Sequence, residues 1–137
     1  KHLPDFRTFD LLDDKLTISH ETLDGNKSLI NFFASWCVPC KTEHPILMQI
    51  SKNHNNIIIL GINYMDSNED AIKFIDSLGN PFSSIGTDDT GKIAMDFGVY
   101  GLPETFIINE QGIIVFKHVG PITKKIYNEK IKELLSN

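Results

Sequence analysis

Ser28-Leu29-Ile30-Asn31-Phe32-Phe33-Ala34-Ser35-Trp36-Cys37-Val38-Pro39-Cys40 is the stretch from which the rest of the chain is read. Its first seven residues are a nearly continuous apolar run of strand length, as a strand covered on both faces requires. Beyond Cys40 the apolar period becomes helical. Ile46, Leu47 and Ile50 share one face, and Lys41, Glu43, Gln49 and Lys52 are expected to meet water. Pro45 falls inside that helix and predicts a kink, since the period continues past it. The only two cysteines therefore sit where a buried strand hands over to the first turn of a helix. That turn carries unpaired backbone N–H groups and the positive end of the helix dipole. A thiolate at Cys37 is stabilised there, so its pKa is expected to fall below the free-thiol value of about 8.5, into the range of roughly 3.5–7.5. Pro39 is tolerated in the first turn, where an N–H has no helical partner to lose. Cys40, one turn further in, is expected to be less exposed and placed to attack a mixed disulfide formed at Cys37.

Working outward, Phe6–Leu12 and Lys15–Ile18 read as two short strands around an Asp13-Asp14 turn, and Asp24-Gly25-Asn26 as a second turn. Ile57–Ile62 is a second buried strand. Ser67–Leu78 is helical, with Ser67 as N-cap before Asp70 and with Ala71, Phe74, Ile75 and Leu78 on its apolar face. Gly79-Asn80-Pro81 stops it. Thr105–Asn109 and Ile113–Val119 pair around Glu110-Gln111-Gly112 as a hairpin. Thr123–Leu135 closes the chain as a helix with Ile126, Ile131, Leu134 and Leu135 available for burial. Alternating strands and helices, then a hairpin and a helix, give an α/β domain with a mixed central sheet. No repeat or linker divides it, so residues 1–137 read as one domain.

The 137 residues are enough for a core that needs no metal or disulfide staples. The composition, 41% hydrophobic and 23% charged, is that of a globular protein, and no run of 18 apolar residues is present. Thirteen basic against eighteen acidic residues give −5, which argues against nucleic acid or an anionic membrane face as the main partner.

Three chemistries compete for Cys37-x-x-Cys40. A zinc site would need a second ligand pair, and His2, His20, His44, His54 and His118 are scattered. A structural disulfide closing so short a loop would remove little unfolded-chain entropy. A redox dithiol fits the strand-to-helix position best.

A strand, Trp-Cys-x-x-Cys, a proline five residues after the second cysteine and a later x-Pro before a hairpin together resemble the thioredoxin superfamily. Within it, Asn31–Pro45, Gly61-Ile62-Asn63-Tyr64 and Gly98-Val99-Tyr100-Gly101-Leu102-Pro103-Glu104-Thr105-Phe106 resemble the CcmG/DsbE family of cytochrome c biogenesis thiol:disulfide interchange proteins. Leu78–Phe82 and Phe116–Gly120 also match its pattern. The resemblance implies a thioredoxin-like three-layer fold, its mixed central sheet flanked by helices, with an N-terminal β-hairpin and an insert around residues 62–90. It implies a reductant on the periplasmic side of the bacterial inner membrane, normally tethered by an N-terminal helix that these residues do not include, so the chain is expected to be a trimmed form. Expected partners are apocytochrome c or a protein of its maturation pathway, and a DsbD- or CcdA-like membrane electron donor. The only redox centre implied is the Cys37–Cys40 pair, with no added cofactor, no metal and no nucleic acid, in a monomer. Other readings are a disulfide oxidase or isomerase of the same fold, and an apocytochrome-binding scaffold without turnover.

The resemblance also assigns residues. Leu102-Pro103 is implied to be a cis peptide that presents backbone groups to an extended target. Asn31 stands where general thioredoxins carry a buried acid, so another base should serve Cys40. Glu43, three residues beyond Cys40, and Glu104, at the start of an inward strand, are the candidates. Trp36 is expected to be partly exposed beside the dithiol as a contact surface.

Overall fold

The computed structural model describes residues 1–136. Strands β1 (Arg7–Phe9) and β2 (Thr17–Ser19) form the N-terminal hairpin, antiparallel through Thr8 opposite Ile18. A short 3₁₀ turn, His20–Leu23, follows under a Ser19 capping box. Strand β3 (Ser28–Phe33) leads into α1 (Val38–Asn53), then β4 (Ile58–Tyr64), α2 (Asn68–Leu78), β5 (Ser84–Asp88) and α3 (Lys92–Asp96). Strands β6 (Glu104–Ile108) and β7 (Ile114–Val119) form the second hairpin. The C-terminal helix is α4 (Lys124–Ile126), a π-helical turn at Tyr127–Ile131 and α5 (Lys132–Leu135).

The sheet order is β5-β4-β3-β6-β7. β4 runs parallel to β3 and β5, whereas β6 is antiparallel to β3 and β7. β3 is the middle strand, and every one of its residues is buried. Because successive side chains point to opposite faces, Leu29, Asn31 and Phe33 look one way and Ile30 and Phe32 the other. The first face packs with Leu47 and Ile50 of α1, Phe74 of α2 and Ile131 of the C-terminal helix. The second packs with Leu3, Phe6, Ile93 and Phe97. Each fully buried Leu, Ile or Phe contributes about 1.5–3 kcal/mol from its own removal from water. Asn31 is the one polar side chain turned towards α1 from the centre of this strand, which fixes where the site lies.

Gly61, opposite Asn31 on β4, shows how tight that layer is. A Cβ there would lie 3.0 Å from the rings of both Phe33 and Phe82, which stack with centroids 5.0 Å apart. Any larger residue would have to separate the two rings.

The sequence reading missed β5 and α3. Ile85 is the only large apolar residue in β5, yet the strand pairs with β4 and is backed by the N-terminal segment, through Leu11 N–H to Ile85 O at 2.7 Å. The insert around residues 62–90 thus supplies α2 and the sheet's edge strand. Ser67 caps α2 as expected, accepting from Asp70 N–H at 3.1 Å. Leu78 departs from expectation: it is 42% exposed, since the helix ends there and Gly79 turns the chain with φ +98°. Among the described residues, no helix is long and apolar enough to cross a membrane.

Candidate active site

The turn out of β3 is closed by Cys37 N–H to Ala34 O at 3.2 Å. Cys37 is then the N-cap of α1, with extended backbone and with its Sγ accepting from Cys40 N–H at 3.2 Å. An N-cap is normally an oxygen-bearing side chain that satisfies a first-turn donor. Here a sulfur occupies that place, so the atom nearest the open amides is the one expected to carry the charge. Cys37 and Cys40 are joined as a disulfide, their Cα atoms 5.3 Å apart. In this oxidised form Cys37 is 5% exposed and Cys40 2%, so the first cysteine is only slightly the more open. Both sulfurs belong to the α1-side core, while Trp36, Val38 and Pro39 stand exposed around them.

The expectation that Glu43 meets water is wrong. It is 1% exposed, facing the sheet from α1. Its Oε2 accepts from Asn31 Nδ2 at 2.8 Å, and its Oε1 from the Ile122 backbone N–H at 3.0 Å. Burial pushes its pKa from the ordinary 4.5 up to about 7, against the lowering pull of these two hydrogen bonds. Asn31 Nδ2 also reaches Thr105 Oγ1 at 3.1 Å, while Asn31 Oδ1 accepts no hydrogen bond from the protein. A buried acid is therefore present on the dithiol's own helix, three residues beyond Cys40. It comes from the helix rather than from the strand.

Glu104 is 2% exposed, on the other side of the sheet's end. Its Oε2 accepts from Tyr100 N–H at 3.1 Å. Its Oε1 has no hydrogen bond and lies 3.4 Å from Lys117 Nζ, an ion pair at a distance too long for a hydrogen bond of good geometry. Lys117 also reaches Gly98 O at 3.3 Å and lies over the Phe106 ring, 5.5 Å from its centroid. Glu104 and Lys117 together hold the Gly98–Pro103 loop at Tyr100 N–H and Gly98 O. The Leu102-Pro103 peptide is cis. Pro103 is buried and its carbonyl accepts from Gly120 N–H at 2.9 Å, whereas Leu102 is half-buried.

Trp36 is 58% exposed, with its ring edge-on to Tyr64 at 6.3 Å and its indole N–H donated to Met65 O at 3.3 Å. Trp36, Tyr64, Val99, Tyr100, Gly101 and Leu102 line an open groove of about 460 Å³ next to the cis peptide. Tyr100 at its rim is 96% exposed. The sequence reading did not single out Ile122, Thr105 or Lys117. Ile122 contributes only a backbone N–H, which no side-chain pattern reveals. Lys117 lies in the Phe116–Gly120 run but carries no mark beyond its charge.

The redoxin family model matches residues 1–135. The thiol:disulfide interchange protein CycY of Rhizobium leguminosarum is 43% identical over 77% of this chain, and the match spans 56% of that relative's length. The thiol:disulfide interchange protein DsbE of Allochromatium vinosum is 38% identical over 99% of the chain and 75% of the relative. Among solved structures, a DsbE-type protein of Chlorobium tepidum superposes with a TM-score of 0.87, at 24% identity, over 99% of this chain and 96% of that one, which establishes the thioredoxin-like fold. The chain belongs to the redoxin family and, within it, to the DsbE-type thiol:disulfide interchange proteins, oxidoreductases that exchange a dithiol for a disulfide.

Proposed function

We propose that the protein is a reductant of protein disulfides, acting through Cys37 attack and Cys40 resolution on the cysteines of apocytochrome c or of a protein in its maturation pathway. The observation that carries this reading is the cysteine sulfur at the N-cap of α1, accepting a first-turn amide. In the reduced protein Cys37 thiolate attacks one sulfur of the target disulfide and expels the other as thiolate. Cys40 then loses its proton and attacks the Cys37 sulfur of the mixed disulfide. The second target thiolate leaves, two electrons have passed to the target, and Cys37–Cys40 is oxidised. The redox equivalents reside in the two cysteines, and a membrane dithiol protein of the DsbD or CcdA kind would return them to the reduced state.

Glu43 is the proton acceptor for Cys40 in this scheme. It lies three residues further along the same helix, buried, and its pKa of about 7 suits a group that must both take and release a proton near neutrality. Glu104 and Lys117 hold the loop that carries the target-binding edge. An extended target strand would pair with Leu102, because the Pro103 carbonyl is engaged by Gly120, and would run over Trp36 and Tyr100 in the neighbouring groove. The family resemblance supports a site that works on the periplasmic face of the inner membrane at the end of an N-terminal tether.

The Cys40→Ala variant tests this directly. Incubated with a disulfide-bonded peptide carrying a haem-attachment Cys-x-x-Cys-His, it is expected to accumulate a mixed disulfide at Cys37 that mass spectrometry detects. No adduct under conditions where the wild-type protein is oxidised would remove Cys37 as the attacking group. Equilibration with glutathione fixes the direction. A potential well below about −200 mV supports a reductant, and one near −120 mV makes the protein an oxidant.

A further inference from the structure

The loop between β4 and α2 touches the turn that precedes the nucleophile, through a carboxylate that the exchange mechanism does not use. Asp66 Oδ2 accepts from Ser35 N–H at 2.7 Å and from Asn63 Nδ2 at 3.1 Å, and its Oδ1 accepts from Ser35 Oγ at 2.8 Å. Asn63 is itself 2% exposed, so the carboxylate stands on a fixed base. The residue before it, Met65, has φ +43°, the left-handed region that a side-chain-bearing residue adopts at a cost. That conformation is held by Met65 N–H to Asp88 O at 3.0 Å, and it leaves the Met65 carbonyl directed at the Trp36 indole N–H. Ser35 and Trp36 are thus gripped from one loop at two adjacent residues. The turn they form is the one that Cys37 N–H closes on Ala34 O.

From these contacts we infer that Asp66 is a positioning residue for the dithiol: it fixes the Ser35–Trp36 turn, and through it the alignment of Cys37 Sγ with the first amides of α1. The inference deepens the reductant reading and rests on it for its functional meaning, but its geometry can be tested without a target. Hydrogen bonds to a carboxylate are about twice as strong as neutral ones, and three of them converge here on one side chain. Without them the turn keeps only the Ala34–Cys37 bond and the longer indole contact. The sulfur then loses its fixed relation to the amides that stabilise its charge.

A second role for Asp66 would be as a plain negative charge near the thiolate, and the two roles differ in sign. Loss of a nearby anion makes a thiolate easier to form, whereas loss of alignment makes it harder. Lys41, Asp70 and Lys73 line the cavity beside Ser35 and Trp36 and are unchanged in every variant proposed here. The measurement is the pH dependence of Cys37 alkylation by iodoacetamide in the reduced full chain, with Trp36 emission recorded in the oxidised and reduced forms. Asp66→Ala is expected to move the alkylation midpoint upward by at least about half a pH unit, a threefold loss of rate on the rising limb, and to change the indole emission. Asp66→Asn is expected to restore most of both, since its amide oxygen can accept from Ser35 N–H and its NH₂ can donate to Ser35 Oγ. Ser35→Ala removes one of the three bonds and should give a smaller upward shift, which keeps the test alive if Asp66→Ala does not fold.

Equal downward shifts in Asp66→Ala and Asp66→Asn, or no shift in Ser35→Ala and in whichever Asp66 variants fold, would overturn the inference. If instead the wild-type protein alkylates as expected but never reduces a target, the reductant reading fails while the role of Asp66 in the turn stands.

Discussion

Glu43 and Glu104 are the same residue type, buried to nearly the same degree on opposite faces of one sheet, and their surroundings differ in kind. Glu43 is met only by neutral donors, a side-chain amide and a backbone N–H. Glu104 is met by a backbone N–H and by the ammonium of Lys117, which is 38% exposed. Burial without a cation makes the charged form of Glu43 expensive and moves its titration to about 7. Burial with a cation gives a tether between a loop and a strand. One carboxyl is thereby equipped to exchange a proton and the other to hold the Gly98–Pro103 loop in place.

The contrast breaks most severely if a like charge is set beside Glu43. In Asn31→Asp two carboxyls would face each other where Asn31 Nδ2 and Glu43 Oε2 are now 2.8 Å apart. They would share one proton well above pH 7. Urea unfolding of the oxidised protein is expected to show a loss of about 4 kcal/mol at pH 8, shrinking to about 1 kcal/mol at pH 4.5, where both groups are protonated in the folded state and the unfolded aspartate is still mostly ionised. A loss independent of pH would mean that the pair is not in contact.

Glu43→Gln sharpens the same point with a smaller effect. Below pH 4.5 the wild-type carboxyl is protonated both folded and unfolded. Between 4.5 and about 7 the unfolded chain releases the proton while the folded one keeps it, so stability falls as pH rises and levels off above 7. The fall is about 3 kcal/mol. Glutamine removes that slope and should leave the variant about 2 kcal/mol the more stable at pH 8, with Asn31 rotated so that its unpartnered Oδ1 accepts from the new amide. Release of the mixed disulfide should slow and lose its pH dependence near 7, which stopped-flow measurement of target release would show.

Lys117→Met gives the smallest change. It keeps a side chain of similar length but takes the cation from a buried carboxyl and from the face of Phe106. Since Lys117 is partly solvated, the expected loss is about 1–2 kcal/mol in urea unfolding. An unchanged midpoint would detach Lys117 from Glu104.

These contrasts also mark where sequence reading works. The β3–Cys37–α1 hand-over was legible because a mostly apolar six-residue strand, a change of period and a first-turn proline all point to one boundary. The Ser67 cap and the second hairpin were legible for the same local reasons. Glu43 was misplaced although its position was visible in the spacing: residues 43, 46, 47 and 50 share a helical face. Only its charge argued for water, and the donor that offsets that charge, Ile122 N–H, lies 79 residues away. β5 was missed because a strand with a single large apolar residue has no hydrophobic signature of its own. Its burial depends on partners from the N-terminal segment and β4. In both cases the missing information was a long-range neighbour rather than a local preference.

The contact between the N-terminal segment and β5 has a colloidal consequence. A bare outer strand is an invitation to intermolecular growth, and proteins commonly deter it with lysines or prolines. Here Asp10 bridges to Gly86, Leu11 N–H takes the Ile85 carbonyl, and the Thr8 hydroxyl takes the Thr87 carbonyl. The chain's own leading residues thus plug that rim of the sheet, and strand-by-strand polymerisation is blocked on this side by occupancy instead of repulsion.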